Sequence, residues 1–174
     1  WISALMQYNR VLWLGENNFE VHLKIAKCLI NIQEYFEATN SLKKAISFNP
    51  YNHSAHYYLG ISLINLNKFD DAIYSLTQSL LLDPENSNTY YYLGKCYYET
   101  AKNIQAREAF NKVIKINPNY GAAHYYLGLI NENIMEIDKA IESYSKAQEF
   151  SPEIENVHYR LGMLLYRIGE YKKA

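Results

Sequence analysis

Histidines recur at one position of a 34-residue period, at His22, His56, His124 and His158, and Tyr90 stands at the same position between them. Imidazole nitrogens are common zinc ligands, but a zinc site needs three or four ligands that converge on one point. A spacing of 34 residues distributes these side chains one to each structural unit, and no carboxylate or cysteine accompanies them at a ligand spacing. We therefore predict that the histidines pack like aromatic side chains and bind neither a metal nor any other cofactor.

The two cysteines and the serines also suggest no catalysis. Cys28 and Cys96 occupy the same position in units two periods apart, which places them beyond the roughly 7 Å Cα separation that a disulfide allows. Unpaired thiols within apolar helices fit a reducing cellular interior. The sequence has no glycine-rich phosphate loop, no His-Glu-x-x-His and no serine or cysteine in a nucleophile turn, so we predict no catalytic residues and no enzymatic activity.

The same period organises the whole chain into one array of helical units. A partial unit (1–18) is followed by four full units (19–52, 53–86, 87–120 and 121–154) and a second partial unit (155–174). Each full unit has two stretches with apolar residues three and four apart, which predicts two amphipathic helices. The full units end at the four prolines, which cannot continue a helix: Pro50, Pro84, Pro118 and Pro152.

Small residues recur on both predicted helices. A Leu-Gly pair in the first helix ends at Gly60, Gly94, Gly128 or Gly162, and an alanine such as Ala72 or Ala140 stands in the second. Because glycine costs roughly 1 kcal/mol relative to alanine inside a helix, its recurrence indicates close approach of the two helices.

This combination of period, Leu-Gly, alanine and terminal proline resembles the tetratricopeptide repeat. The resemblance implies an all-α fold, a right-handed superhelical solenoid of antiparallel helix pairs, whose concave face is lined mainly by the first helices and binds other proteins. The chain departs from the family where His or Tyr replaces the frequent Trp and where Asn103 and Asn131 replace apolar residues, which predicts looser packing in the third and fourth units. Some members hold a C-terminal carboxylate in a clamp of polar residues, but only Lys27 matches that pattern, so we do not expect the clamp.

Eighteen tyrosines are the most distinctive feature of the composition. Three pairs precede the glycine positions, and since a helix advances about 100° per residue, we expect one member of each pair to face the core and the other the groove. Tyrosine offers a large contact area at low entropic cost, which suits it to recognition. The predicted peptide-binding groove comprises Lys24, Lys27, Tyr57, Tyr58, Asn65, Tyr91, Tyr92, Lys95, Tyr98, Tyr125, Tyr126 and Arg160.

Charge and hydropathy restrict the partners and the location. The net charge of -1 argues against binding to nucleic acid or to an anionic membrane surface, and no apolar run is long enough for membrane insertion. Without a recognisable secretory signal, the sequence favours an intracellular, cytoplasmic location, with a nuclear or ciliary assembly as the alternative. Both ends fall within a unit, so we expect the segment to be part of a larger chain or complex.

The predicted function is binding of a partner peptide or helix in the tyrosine-lined groove. Two alternatives remain open. The chain could be a structural scaffold subunit of a large multiprotein assembly, or it could be the substrate-recruiting arm of an enzyme whose catalytic domain lies outside this segment.

Overall fold

A computed structural model describes residues 1–169, and these residues form ten α-helices and no strands. The helices are α1 (Ile2–Trp13), α2 (Phe19–Asn31), α3 (Tyr35–Phe48), α4 (His53–Asn65), α5 (Phe69–Leu82), α6 (Ser87–Glu99), α7 (Asn103–Ile116), α8 (Gly121–Asn133), α9 (Ile137–Phe150) and α10 (Glu155–Arg167). The all-α prediction is confirmed. The last residues of the predicted second partial unit (155–174), beyond residue 169, lie outside the described residues.

Asparagine side chains start three of the first helices. The Oδ1 atoms of Asn18, Asn52 and Asn86 accept hydrogen bonds from the backbone N–H three residues on, at 3.0 to 3.1 Å. A helix leaves its first N–H groups without partners, and an Asn at the N-cap satisfies one of them. The same 34-residue spacing therefore fixes where α2, α4 and α6 begin.

A left-handed residue ends each first helix. The φ angle is +65° at Gln33, +56° at Asn67 and Ala101, +63° at Met135 and +83° at Gly169. Directly after Gln33, Asn67 and Met135 the backbone N–H returns to a carbonyl in the last turn, as from Lys68 to Leu63 at 2.9 Å. These three turns satisfy helix-end carbonyls and reverse the chain, so that α3, α5 and α9 run antiparallel to α2, α4 and α8. Four of the five residues are not glycine and carry the roughly 1–2 kcal/mol cost of that conformation.

The chain divides into two compact units, residues 1–101 and residues 102–174. In unit 1, helices α2 and α3 pack as one pair and α4 and α5 as another, and α6 packs on α5. Their shared core includes Leu42, Leu59, Leu63, Leu76 and Cys96. In unit 2, α8 pairs with α9, and α7 and α10 pack beside them.

Small residues allow these pairs to approach closely, as the sequence predicts. Ala38, Ala72, Ala106 and Ala140 are all fully buried. A Cβ atom added at Gly60 would lie 2.6 Å from the Leu76 side chain, and one added at Gly128 would lie 2.5 Å from the Tyr144 ring. No helix within residues 1–169 combines the length and hydropathy needed to cross a bilayer.

Candidate functional site

Unit 1 carries a continuous series of tyrosine rings on α4 and α6, which we term the tyrosine ladder (Tyr57, Tyr58, Tyr91 and Tyr92). Ring centroids are 5.2 Å apart for Tyr58 and Tyr57, 5.8 Å for Tyr57 and Tyr92, and 5.3 Å for Tyr92 and Tyr91. The interplanar angles are 67° to 68°, so each ring meets the next edge to face. This geometry brings the positive edge of one ring to the negative face of the next and contributes about 0.5–1.5 kcal/mol per pair.

A lysine lies over each end of the tyrosine ladder. The Nζ atom of Lys27 on α2 is 4.8 Å from the centre of the Tyr58 ring, and that of Lys95 on α6 is 5.9 Å from the centre of the Tyr91 ring. Both distances fall within the roughly 6 Å range of cation–π attraction. Three first helices thus contribute to one surface with aromatic rings in the middle and an ammonium group at each end.

All four ladder tyrosines are half-buried. Helical phase predicts that one member of each pair faces the core and the other the groove. The structure differs, because the contact between repeats holds both rings of a pair partly covered. Burial raises the pKa of the Tyr92 hydroxyl above its usual value, and Tyr92, Tyr57 and Tyr58 pack on the apolar core of unit 1.

The remaining predicted residues of unit 1 have local partners or lie beside the tyrosine ladder. Lys24 Nζ donates a hydrogen bond to the Glu20 carboxylate at 3.1 Å, and this bond raises the pKa of Lys24. The Nδ2 atom of Asn65 donates to the carbonyl of Ile61 at 2.9 Å. Tyr98 is half-buried on α6.

In unit 2 the corresponding tyrosines contact aromatic side chains of the second helices. The rings of Tyr125 and Tyr126 are 5.8 Å apart and nearly perpendicular. Tyr126 stacks on Phe110 at 5.0 Å, and Tyr125 lies 5.8 Å from the ring of Tyr144. The aromatic residues of α8 are therefore anchored on α7 and α9.

A polar cluster centred on Glu132 lies beside these rings. The Tyr144 hydroxyl donates to Glu132 Oε2 at 2.7 Å, and Arg160 Nη1 donates to the same oxygen at 2.9 Å. Tyr144 is fully buried. Burial, and to a smaller extent the adjacent Glu132 carboxylate, raises the pKa of its hydroxyl. The predicted groove residue Arg160 is thus fixed on α10 by a charge-assisted hydrogen bond to α8, which is stronger than a neutral one.

Three of the repeated histidines form hydrogen bonds with the junctions that precede their helices. The Nε2 atoms of His56, His124 and His158 lie 2.9, 2.8 and 3.1 Å from the carbonyls of the prolines six residues earlier. His22 instead bonds to the side chain of Asn17 at 2.7 Å.

The histidine rings pack as predicted in two units. His22 stacks on Phe48 and His124 tilts against Phe150. His158 is exposed, so the packing prediction fails there, and its ring is held at the surface by hydrogen bonds at both nitrogens. Within residues 1–169 no three His, Cys, Asp or Glu side chains are grouped in a way that could hold a metal ion.

Both cysteines are buried free thiols. Burial raises the pKa of the Cys96 thiol to about 12, so the thiolate that reacts with electrophiles is scarce at neutral pH. This environment fits thiols that pack within apolar helices.

A polar network between the helices of unit 2 was not predicted. Arg107 Nη2 donates to Asn131 Oδ1 at 3.3 Å, and Asn131 Nδ2 donates to Ser143 Oγ at 3.3 Å. Asn131 is buried with both ends of its amide bonded, so its side chain fills the position instead of loosening it. Arg107 stands where the preceding repeat has Ile73, and Asn131 stands where the preceding repeat has Tyr97.

Comparison with known families agrees with this architecture. Two family profiles, both described as tetratricopeptide repeat, match residues 63–130 and 41–74, which together extend over more than half of the chain. The chain belongs to the tetratricopeptide repeat family. The predicted all-α solenoid of helix pairs is the fold of this family and is confirmed.

Solved structures of tetratricopeptide repeat proteins are similar over most of their length. A crystal structure of MamA is 29% identical, with coverage of 87% of this chain and 89% of MamA and a TM-score of 0.80. YrrB, described as a TPR protein with an unusual peptide-binding site, is 18% identical, with coverage of 94% and 84% and a TM-score of 0.76. The Pseudomonas aeruginosa protein pilF is 19% identical, with coverage of 88% and 70% and a TM-score of 0.79. No curated protein matches the sequence.

Proposed function

We propose that this chain is a protein-interaction module that binds an extended segment of a partner protein along the tyrosine ladder of unit 1, with Lys27 and Lys95 at its ends. The observation that carries the proposal is the unbroken edge-to-face series of four half-buried tyrosines. In unit 2, Tyr125, Tyr126 and Arg160 are the candidate contacts for a further segment of the partner.

The chemistry of the tyrosine ladder suits recognition of a polypeptide. Rings held by their neighbours lose little side-chain entropy when a ligand binds, and their hydroxyl groups can hydrogen-bond to a peptide backbone. Neighbouring helix axes are about 8–10 Å apart, so a surface that crosses three first helices extends over roughly 20 Å. At about 3.3 Å per residue, an extended peptide of roughly six residues would cover it.

The family supports an interaction role, since its repeats form protein-binding modules. YrrB shares the fold and is described as having a peptide-binding site, which makes a peptide ligand a reasonable proposal for this chain. The proposed location of the site rests on the tyrosine ladder alone, because an identity of 18% transfers the fold and not the binding residues.

The scaffold alternative is favoured by a different surface of unit 1. Large apolar side chains are exposed on second helices, with Trp13 84%, Tyr74 68% and Leu81 70% accessible. Trp13 lies on α1 and the other two on α5, and a neighbour in an assembly could cover either set of exposed apolar side chains.

Peptides that bind the wild-type protein are first selected from a displayed random library. Their binding to the wild-type protein is then compared with their binding to two variants. The triple variant Tyr57→Phe, Tyr58→Phe, Tyr91→Phe keeps the packing of the rings and removes three hydroxyl groups. We expect it to bind the selected peptides at least tenfold more weakly, the equivalent of about 1.4 kcal/mol. Circular dichroism would establish that the variant is folded.

Tyr74→Phe is the matched control, because it removes a tyrosine hydroxyl from an exposed second-helix position of the same unit. We expect this variant to bind like the wild type. Equal binding by all three proteins would refute the tyrosine ladder as the site. Weaker binding by Tyr74→Phe alone would favour the scaffold surface.

A further inference from the structure

Unit 1 also contains a cavity that involves no residue of the tyrosine ladder. A cavity of about 440 Å³ is bounded by α1, the junction before α2, α2 and α3, and is lined by Leu12, Asn17, His22, Lys44, Ser47 and Phe48. Leu12 and Phe48 supply apolar walls, and the other four residues supply polar groups. None of the six carries a negative charge, so the cavity has a basic side chain and no acid of its own.

The charge of Lys44 is not neutralised by the described part of the chain. No Asp or Glu carboxylate within residues 1–169 forms an ion pair with its Nζ atom. Burial lowers the pKa of His22, which lines the cavity, and the positive charge of Lys44 lowers it further. His22 itself is fixed by the hydrogen bond to Asn17 and by stacking on Phe48.

Three repeats later, unit 2 has a cavity of about 320 Å³ at the same repeat positions, where Ile114, His124 and Lys146 correspond to Leu12, His22 and Lys44. In that cavity Lys146 Nζ donates to Glu142 Oε1 at 2.7 Å. Glu142 and Lys146 lie one helical turn apart on α9 and are both largely exposed, and this hydrogen bond lowers the pKa of Glu142. The residue that corresponds to Glu142 in unit 1 is Asn40, so the lysine is retained there and its carboxylate partner is replaced.

We propose that the cavity of unit 1 binds a glutamate side chain of a partner protein, with the carboxylate on Lys44 Nζ and the aliphatic part of the ligand against Leu12 and Phe48. The ligand would take the place that Glu142 occupies in unit 2. An intramolecular glutamate needs no association entropy, so unit 2 is already occupied at this position while unit 1 is open to a partner. The proposal does not depend on the tyrosine ladder, because no residue is shared by the two sites.

The test is an NMR titration at pH 7.5 with the probe peptide acetyl-Ala-Leu-Glu-Leu-Ala-amide, observed at the ring signals of His22. We expect a saturable shift with this peptide and at least tenfold weaker binding of the Gln analogue. Lys44→Gln should abolish the response because it removes the positive charge. Asn40→Glu should also abolish it, because it introduces the glutamate of unit 2 one helical turn before Lys44.

Lys146→Gln is the matched control and should leave the His22 response unchanged, as should Tyr58→Phe. Equal responses to the Glu and Gln peptides, or a response that persists in Lys44→Gln or Asn40→Glu, would overturn the proposal. A stronger response to acetyl-Ala-Ala-Leu with a free C-terminal carboxylate would overturn the assignment of the ligand to a side chain.

Discussion

Replacing Gly128 by alanine tests the packing of unit 2 at one atom. The added Cβ would lie 2.5 Å from two carbons of the Tyr144 ring, where carbon atoms at optimal contact are about 3.5–4.0 Å apart. The ring cannot easily move away, because it is fully buried and its hydroxyl is held by Glu132 at 2.7 Å.

The magnitude follows from two opposing effects. Overpacking a filled core costs typically about 1–3 kcal/mol, and moving the ring weakens a hydrogen bond to a charged group worth about 1.5–3 kcal/mol. Alanine recovers up to about 1 kcal/mol of helix propensity. We expect Gly128→Ala to lower the free energy of unfolding by about 2 kcal/mol.

Gly60→Ala is the matched control in unit 1. Its Cβ would meet Leu76, an aliphatic side chain that can change rotamer more easily than a bonded tyrosine. The chain already contains this combination one repeat earlier, where the fully buried Ala26 and Leu42 belong to the same core cluster. We expect Gly60→Ala to change stability by less than about 1 kcal/mol, since surrounding volumes can be redistributed.

The assay is urea unfolding followed by circular dichroism, with hydrogen exchange on the amides of α8 and α4 to assign the loss to one unit. Repeat arrays can unfold in parts, so the exchange measurement is needed beside the global curve. Equal losses for the two variants, or a more stable Gly128→Ala, would refute the reasoning. Tyr144→Leu should reduce the cost of Gly128→Ala toward that of Gly60→Ala in a double-mutant cycle.

Three further predictions follow from buried groups. Glu132→Gln should destabilise unit 2 by about 1–3 kcal/mol in urea, because the Tyr144 hydroxyl and Arg160 lose their shared charged acceptor. Cys28 and Cys96 should react with iodoacetamide far more slowly in the native protein than in urea, and equal rates would contradict their burial. The pKa of His22 is lowered in the folded chain. The contribution of neutral His22 to stability is therefore present above about pH 6.5 and is lost as the pH falls through the folded pKa. Replacing His22 with Gln should remove that part of the acid dependence of stability.

Much of the fold was visible in the sequence because the period repeats its signals. The proline and alanine positions recur in every full unit and the helix glycine in three of the four, and the close approach they predict is observed where Gly60 faces Leu76 and Gly128 faces Tyr144. The predicted groove residue Arg160 meets Glu132 at 2.9 Å although the two residues are 28 apart in the sequence.

Side-chain partners across helices were less predictable. Helical phase alone predicts that one tyrosine of each pair lies in the core. In the structure a ring of the next repeat packs beside the pair, and both tyrosines are half-buried. The buried network of Arg107, Asn131 and Ser143 depends on three residues on three helices, and no local pattern specifies such a combination. The unpaired state of Lys44 became evident only when its environment could be compared with that of Lys146.

The most direct test of the central claim is photo-crosslinking of the full chain in its source cells. A benzophenone amino acid would be placed at Lys27, beside the tyrosine ladder, or at Tyr74 on the exposed surface of α5. The proposed function predicts one dominant crosslinked protein from position 27, joined through a short segment, and none of it from position 74. The same protein crosslinked from position 74 and not from position 27 would contradict the claim that the tyrosine ladder binds the partner.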